Sequence, residues 1–323
     1  MPTEINTPPL TAKETVLVDW LEFIAFLDPY GVARLDPLIS ALEQQKEEHE
    51  DNIEEQDKML DQLREKIENE VDFREKGCGG GYPFKLSDDA EELSLVEGWQ
   101  DSRFSFYLVC LLTSHLNGSE IMEKPFDQQL VIRLRDRVFQ ILSVITMAGV
   151  AGGSAASIGW PRQSQATIIQ ILKQAEQRGA GFIARDKPGR YRKPKEKDGG
   201  IDVISWSIHD RPPPMTFYYA QVASGENWHG KPVIQFVETF ERNYMDDPPR
   251  SNRCYATIIP FRDVDVNDWW HEHSVHRSLI DRTRVPAAAV NGLKLAESGI
   301  EMDEIQNLAA LSAWVADVRQ SLI

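Results

Sequence analysis

The sequence has few cysteines and no long apolar run, and both absences narrow the class of protein. Its 323 residues include three cysteines, Cys78, Cys110 and Cys254, which lie far apart. An odd, dispersed set argues against a disulfide framework and fits a reducing cytoplasm. No apolar stretch reaches the roughly 18–20 residues that a membrane-spanning helix needs, and the N-terminus has no secretory signal pattern. We therefore expect a cytoplasmic protein without membrane contact.

The net negative charge of the chain comes from its first 100 residues. The formal net charge is −16. Residues 1–100 hold 25 acidic and 9 basic residues, whereas residues 101–323 hold 26 of each sign. Because an acidic protein repels nucleic acid, the charge pattern leaves only the later residues suited to contact with DNA.

Hydrophobic periodicity predicts an acidic, helical N-terminal domain over residues 1–150. Its helices are predicted at 14–30, 36–76, 88–117 and 126–148. Residues 148–160 are rich in glycine, alanine and serine, which predicts the passage to a second domain over residues 151–323. A chain of this length has room for two domains.

The predicted helix at residues 36–76 is long, highly charged and free of internal proline and glycine. One heptad position is apolar four times, at Ile39, Ile53, Leu60 and Ile67. Polar residues interrupt this line of apolar side chains along the predicted helix. Two interpretations are open: a solvated helix that rests on its own domain, or a coiled-coil arm that binds a protein partner or a second copy.

From residue 163 onward the pattern changes to helices mixed with strands. The predicted elements are, in order, a helix at 163–178, a strand at 182–184, a turn that leads into a strand at 198–206, a strand at 216–222, a helix at 232–244 and a strand at 254–261. An amphipathic helix is predicted at 301–322. This part of the chain is therefore of the α/β or α+β class, with the order α-β-β-β-α-β.

A basic loop lies between the first two of these strands. Its seven cations are Arg185, Lys187, Arg190, Arg192, Lys193, Lys195 and Lys197. Arginine and lysine bind phosphate without regard to base sequence, so the loop is predicted to contact the DNA backbone. A solvated hairpin is the alternative.

Two segments in this region carry a resemblance to a known family. Asp-Gly-Gly-Ile-Asp-Val-Ile, residues 198–204, begins one strand, and Ala-Gln-Val-Ala-Ser-Gly, residues 220–225, ends the next. With the order of elements, they resemble the restriction-endonuclease-like superfamily, PD-(D/E)XK, and above all its Mrr-type branch. In that branch a Gly-Gly-Ile-Asp strand precedes a strand with Gln-x-Lys. The resemblance covers about residues 160–261 and implies a restriction-endonuclease-like core.

The resemblance also implies a metal site and a reaction. Asp202, the side chain of Gln221 and the main-chain carbonyl of Val222 would hold Mg²⁺ or Mn²⁺, hard cations that take oxygen ligands. Such a cation offsets the charge on a pentavalent phosphorus and lowers the pKa of the attacking water. The implied function is a metal-dependent DNA endonuclease, a subunit of a prokaryotic restriction or anti-phage defence system.

The chain departs from the family pattern at one position. Ala223 stands where the family has its lysine, so Lys231 or Lys197 would have to replace it. We predict Asp202, Gln221 and Lys231 as the catalytic residues. The alternative is an inactive nuclease fold that serves as a DNA-binding or scaffold subunit. A third interpretation is a helical adaptor whose long arm assembles a complex.

Two further groups of residues are not assigned to this site. His271, His273 and His276 are predicted to pack at a surface rather than to bind a metal. Arg282 and Arg284 are predicted to form a local charge pair or to reach a DNA backbone.

Overall fold

A three-stranded and a five-stranded sheet organise the chain, which is a mixed α/β protein. The computed structural model describes residues 5–40, 53–115, 119–122, 127–159, 166–192, 197–208, 210–262 and 266–322, with the backbone alone at 53–57, 136, 226 and 266. Within these ranges, no helix combines the length and the apolar character needed to cross a membrane.

The N-terminal half is mostly helical but contains a small sheet. Its elements are α1 Glu14–Leu27, β1 Val32–Arg34, α2 Ile53–Gly77, β2 Phe84–Leu86, β3 Glu92–Leu95, α3 Ser102–Ser114, α4 Gln128–Arg133 and α5 Phe139–Ala151. Residues 36–40 are also helical. The strands form an antiparallel sheet in the order β1-β3-β2. A π-helical turn, Leu134–Val138, joins α4 to α5.

The helix predicted at 88–117 is wrong in its first part, where the structure has β3. The Ser87 amide donates to the Glu92 carbonyl across a tight turn, and Leu93 points into the core with no exposed surface. The helix begins only after Asp101, whose carboxylate accepts a hydrogen bond from the Arg103 amide at 3.0 Å. An aspartate at this position satisfies an amide that the first helical turn leaves without a partner.

Helix α2 packs one face against its own domain. Leu63, Ile67 and Val71 are buried, together with the charged residues Glu70 and Arg74. This packing supports the interpretation of a charged helix resting on its own domain for this half of the predicted arm. Residues 41–52 of the arm lie outside the described residues. Self-association or partner binding through the arm stays a prediction.

The C-terminal half is built on the five-stranded sheet. Its elements are β4 Gly153–Ser157, α6 Ile168–Gln177, β5 Ile183–Ala184, β6 Val203–Ser207, β7 Thr216–Val222, α7 Ile234–Tyr244, β8 Met245–Asp247, β9 Asn252–Ile258, α8 Val266–His276, β10 Leu279–Ile280, α9 Arg284–Glu297 and α10 Ala309–Leu322. Two short 3₁₀ helices are Glu226–Gly230 and Ile305–Asn307. The strand order is β10-β9-β7-β6-β4. Strands β4, β6 and β7 pair antiparallel, whereas β7, β9 and β10 pair parallel.

Helices cover both faces of this sheet. Successive side chains of a strand point to opposite faces. On one face, Val203, Ala220 and Ile258 join the core that contains α5. On the other, Ile204, Trp206 and Tyr219 join the core that contains α6 and α7. The helix α7 supplies the crossover that the parallel pair β7 and β9 requires.

One of the two strands that pair with β6 was not predicted. The strand predicted at 182–184 forms as β5, but it pairs with β8 outside the main sheet. Instead, β6 pairs with β4, which comes from the segment that we predicted to be a passage between domains. A Cβ atom on Gly153 would lie 2.3 Å from the Trp206 carbonyl oxygen, so the close approach of these strands requires glycine.

The hydrophobic core continues across residue 150. A Cβ atom on Gly149 of α5 would lie 1.8 Å from the Ala288 carbonyl oxygen, and one on Gly292 of α9 would lie 2.2 Å from the Ile145 carbonyl oxygen. The two glycines therefore let these helices pack backbone to backbone. The domain boundary near residue 150 stays a prediction, and no gap in packing marks it.

A buried ionic network joins the N-terminal helices to the segment before α9. Arg282 is 1% exposed and donates from Nη2 to both carboxylate oxygens of Asp19, at 2.7 and 2.9 Å. Arg74 of α2 donates to Asp19 Oδ1 at 2.7 Å. Arg284 donates to the Leu279 carbonyl at 2.9 Å. The prediction that Arg282 reaches a DNA backbone is therefore wrong, because its guanidinium is enclosed by the fold.

Candidate functional site

Asp202 and Gln221 come together where β6 begins and β7 ends. The strands are antiparallel and Val203 lies opposite Ala220, which brings the residue before β6 alongside the last residues of β7. Gln221 Nε2 donates to Asp202 Oδ2, and the Val222 amide donates to the same oxygen at 2.8 Å. The two side chains that the resemblance predicted as metal ligands are thus in direct contact.

The backbone of Asp202 is fixed by three neighbouring elements. Its amide donates to the Ala220 carbonyl at 3.0 Å, and its carbonyl accepts from the amides of Ile158 and Gly159, both at 2.8 Å. The side chain of Gln140, from α5, donates to the same carbonyl at 3.1 Å. These hydrogen bonds hold the backbone of Asp202 in place, and a residue that binds a metal needs such a fixed backbone.

Burial raises the pKa of Asp202 to about 7. The hydrogen bond from the Val222 amide lowers this pKa, the nearby charge of Asp198 raises it, and Lys231 and Gln221 lower it. The residue is 8% exposed. A carboxyl group with such a pKa carries a proton part of the time at neutral pH, and a cation that binds there would displace it.

The two glycines before Asp202 have structural roles. Gly199 and Gly200 adopt φ values of 70° and 81°, a region that favours glycine. Asp198 Oδ1 accepts a hydrogen bond from the Gly200 amide at 2.9 Å, and a Cβ atom on Gly200 would lie 2.4 Å from the ring of Phe236. Asp198, which the sequence reasoning did not assign, is a second carboxylate close enough to influence Asp202.

Lys231 lies near Asp202, in the segment between the first 3₁₀ helix and α7. Its Nζ donates to Asn227 Oδ1 at 2.8 Å, and its charge lowers the pKa of Asp202. This position suits the replacement lysine that the sequence required. Its catalytic role stays a prediction.

The position of the missing lysine is enclosed. Ala223 is 3% exposed and packs in a small apolar cluster with Trp228, Ile259 and Leu279. A lysine at this position would begin among apolar side chains, and burial of an unpaired ammonium group is unfavourable. The apolar cluster around Ala223 explains why an alanine suits this site.

A cluster of polar side chains that was not part of the predicted site lies beside Gln221. Thr257 pairs with Gln221 in the sheet register, and its Oγ1 is hydrogen-bonded to His276 Nδ1 at 2.7 Å. Glu272 Oε2 lies 3.4 Å from His276 Nε2, and Glu272 Oε1 is hydrogen-bonded to His229 Nδ1 at 2.7 Å. Only the clustered histidines of α8 hinted at this group in the sequence. No three His, Cys, Asp or Glu side chains in the described ranges are arranged to hold a metal ion.

The basic loop is partly tied to the fold and partly exposed. Arg185 Nε donates to the Met245 carbonyl at 3.2 Å and lies 3.4 Å from Asp246. The exposed cations of the loop are Lys187, Arg190, Arg192 and Lys197. The predicted residues Lys193 and Lys195 lie outside the described residues. The loop is adjacent in sequence to the candidate metal site, because its last residue, Lys197, immediately precedes the Asp198 turn.

The chain was compared with family models, curated proteins and solved structures. No family model matches the chain, and no curated protein and no solved structure is similar enough to count as a match. The assignment of a function therefore rests on the residues themselves.

Proposed function

We propose that the protein is a metal-dependent DNA endonuclease in which Asp202 and Gln221 hold Mg²⁺ or Mn²⁺. One observation carries the proposal: the Asp202 carboxylate and the Gln221 amide lie in hydrogen-bond contact on adjacent strands, with Lys231 close enough to lower the pKa of the carboxyl. A buried carboxyl with a shifted pKa, a polar amide and a nearby cation form a combination that structural packing alone does not require.

The donor atoms present suit a hard cation. Mg²⁺ commonly keeps several waters and takes one or two carboxylates from the protein. Asp202 supplies one carboxylate, Asp198 lies close by, and turning the Gln221 amide over would direct its Oε1 towards the cation. The Val222 amide donates to Asp202, so the contact that the structure gives for Val222 orients the carboxylate. The predicted role of its carbonyl as a ligand belongs to the proposal.

Each protein group has a distinct task in this proposal. When bound, the cation would polarise the scissile phosphate and acidify a water. Lys231, held by Asn227, would offset the charge that develops on the phosphate oxygens. The hydrogen bonds to the Asp202 backbone keep its carboxylate in place. The basic loop 185–197 would hold the DNA backbone.

The direct test is cleavage of plasmid and linear DNA with Mg²⁺ or Mn²⁺. Asp202→Asn keeps the shape of the side chain and removes its charge. Asp72→Asn, at an exposed aspartate of α2 paired with Lys76, is the matched control. We expect wild type and Asp72→Asn to cleave and Asp202→Asn to be inactive. Equal cleavage by wild type and Asp202→Asn would refute the proposal.

A second candidate function is an inactive nuclease fold that binds DNA or serves as a scaffold. The enclosed position of Ala223 favours it, since the family's lysine is missing and its space is filled. Ala223→Lys separates the two functions, with Ala223→Met as the control for side-chain size. If wild type is silent and only the lysine variant cleaves DNA, the scaffold function is supported.

The cellular setting of the proposed enzyme follows from the resemblance alone. We propose a cytoplasmic subunit of a prokaryotic restriction or anti-phage defence system that acts with a protein partner. The acidic residues of the N-terminal half suit a surface that keeps this half away from DNA.

A further inference from the structure

Tyr191 is a large aromatic side chain that the fold leaves in water. It is 82% exposed, and it stands between Arg190 and Arg192, both of which are exposed. An exposed ring beside basic side chains is the combination that binds single-stranded nucleic acid. Nucleic-acid bases stack on such rings, and the flanking arginines attract the phosphates.

Arg192, the residue after Tyr191, lines a cavity of about 630 Å³. Three cations line it, Lys173, Arg192 and Lys197, against one carboxylate, Asp186. Asp186 is engaged in an ion pair with Lys173, and cations outnumber carboxylates among the described side chains of the cavity wall. Its volume falls within the range of pockets that hold small molecules, roughly 300–1,000 Å³, and is sufficient for one nucleotide.

The first turn of α6 forms another part of the cavity wall. Thr167 caps this ten-residue helix and Gln170 completes the capping box, and both residues line the cavity. The positive end of the helix dipole adds to the potential that the lysines and arginine create. The cavity therefore favours an anionic group such as a phosphate.

We propose that Tyr191 and its flanking arginines bind an unpaired nucleotide, with the base stacked on Tyr191 and a phosphate in the cavity that Arg192 lines. The proposal rests on the proposed function, because it specifies an unpaired nucleotide as the part of the DNA substrate that these residues recognise. In a duplex the faces of the bases are already stacked on each other, so an exposed ring gains a stacking partner only from an unpaired base. The cavity provides room for the phosphate.

The test is binding of a fluorescein-labelled 12-nucleotide DNA strand in EDTA, followed by anisotropy. Tyr191→Ala removes the ring, Tyr191→Phe keeps it, and Tyr30→Ala removes a ring that is 91% exposed outside the basic loop. We expect Tyr191→Ala to weaken binding about 5- to 150-fold. Tyr191→Phe and Tyr30→Ala should bind within about twofold of wild type, and the matching duplex should bind more weakly than the single strand.

The cations are tested by the salt dependence of the same binding. Arg192→Gln should reduce the slope of log affinity against log salt by about 0.7, the value for one phosphate contact on a single strand. Arg34→Gln, at an exposed arginine paired with Glu92 in the small sheet, should leave the slope unchanged. An unchanged slope for Arg192→Gln would contradict a phosphate in the cavity.

The outcomes separate this inference from the proposed function. Equal binding by Tyr191→Ala and wild type, tighter binding of the duplex, or no binding by wild type would overturn the inference. Asp202-dependent cleavage together with any of these results would leave the nuclease standing. Tyr191-dependent binding without cleavage would refute the nuclease alone. Tighter binding of an RNA strand of the same sequence, if it also depends on Tyr191, would support the unpaired nucleotide and identify RNA as its source.

Discussion

Two regions of the molecule bury an aspartate, and they treat its charge in opposite ways. Asp19, in the N-terminal network, is 6% exposed and Asp202, in the candidate site, is 8% exposed. Burial acts to raise the pKa of Asp19, but Arg282 and Arg74 together hold it well below its usual range. Burial raises the pKa of Asp202 to about 7, because Lys231 and two hydrogen-bond donors offset it only in part.

The difference shows which buried carboxylate the fold itself neutralises with side chains of opposite charge. Asp19 is bonded to both arginines and to His115 Nε2 at 2.9 Å. Glu22 of the same network has a raised pKa through burial, but it accepts hydrogen bonds from Tyr82 and Tyr107. Asp202 has no comparable partner of opposite charge in direct contact within the described residues. A cation from outside would supply the charge that the fold leaves out.

We expect the largest loss of stability when one of the arginines that neutralise Asp19 is removed. Arg282→Ala leaves Asp19 buried with one arginine fewer, and loss of one partner from a buried pair costs about 3–5 kcal/mol. The measurement is the free energy of unfolding in urea. Arg34→Ala, at an exposed pair, should lose at most about 1 kcal/mol. If Arg282→Ala lost no more than this control, the network would not be holding the N-terminal helices to the segment before α9.

By contrast, we expect a gain in stability when the charge of Asp202 is removed. Because folding raises the pKa of Asp202 from an ordinary 3.8 to about 7, the ionised carboxylate disfavours the folded state. In the metal-free protein, the contribution of Asp202 to stability should therefore be fully present below pH 4 and be lost as the pH rises through 7. Asp202→Asn lacks this loss and should be more stable than wild type at pH 8 by up to about 4 kcal/mol.

The pH dependence distinguishes this effect from a general change in packing. Unfolding free energies of wild type and Asp202→Asn, both in EDTA, should converge at pH 4 and diverge between pH 4 and 7. A constant difference at all pH values, or a less stable asparagine variant at pH 8, would mean that Asp202 is already balanced by the fold.

We expect a smaller change in stability from removing Lys231, whose charge only partly offsets that of Asp202. Lys231→Gln removes a charge that lowers the pKa of Asp202, so this pKa should rise further and stability at pH 8 should fall. The lysine is half-exposed, so the loss should be below about 1 kcal/mol. In the Asp202→Asn background the same substitution should have no effect. An equal loss in both backgrounds would show that Lys231 acts on stability without Asp202.

The sequence predicted the local geometry of the site better than its surroundings. The strands around Asp202 and Gln221 have β-branched and aromatic residues in alternation, and these formed as expected. Strand β4 has the sequence Gly-Ser-Ala-Ala-Ser, whose residues have weak strand preference. Its pairing is decided by the close approach to β6, which no local pattern reveals.

Long-range burial is the other feature that the sequence concealed. Arg282 and Arg284 occupy the same short segment, yet only Arg282 is enclosed, because Asp19 reaches it from 263 residues away in the chain. Likewise His229 and Glu272 meet across 43 residues. Contacts of this kind depend on the complete packing of the helices, whereas periodicity reports only the nearest turns of one element.

The most direct test of the central claim is the proton balance of Mn²⁺ binding, measured by calorimetry at pH 6.5 in buffers of different ionisation enthalpy. If a cation takes the place of the proton on Asp202, wild type should release about three quarters of a proton per ion, as a pKa of about 7 requires. Asp202→Asn should bind Mn²⁺ weakly and release none. Equal affinity and equal proton release in the two proteins would show that the buried carboxyl is not where the metal binds.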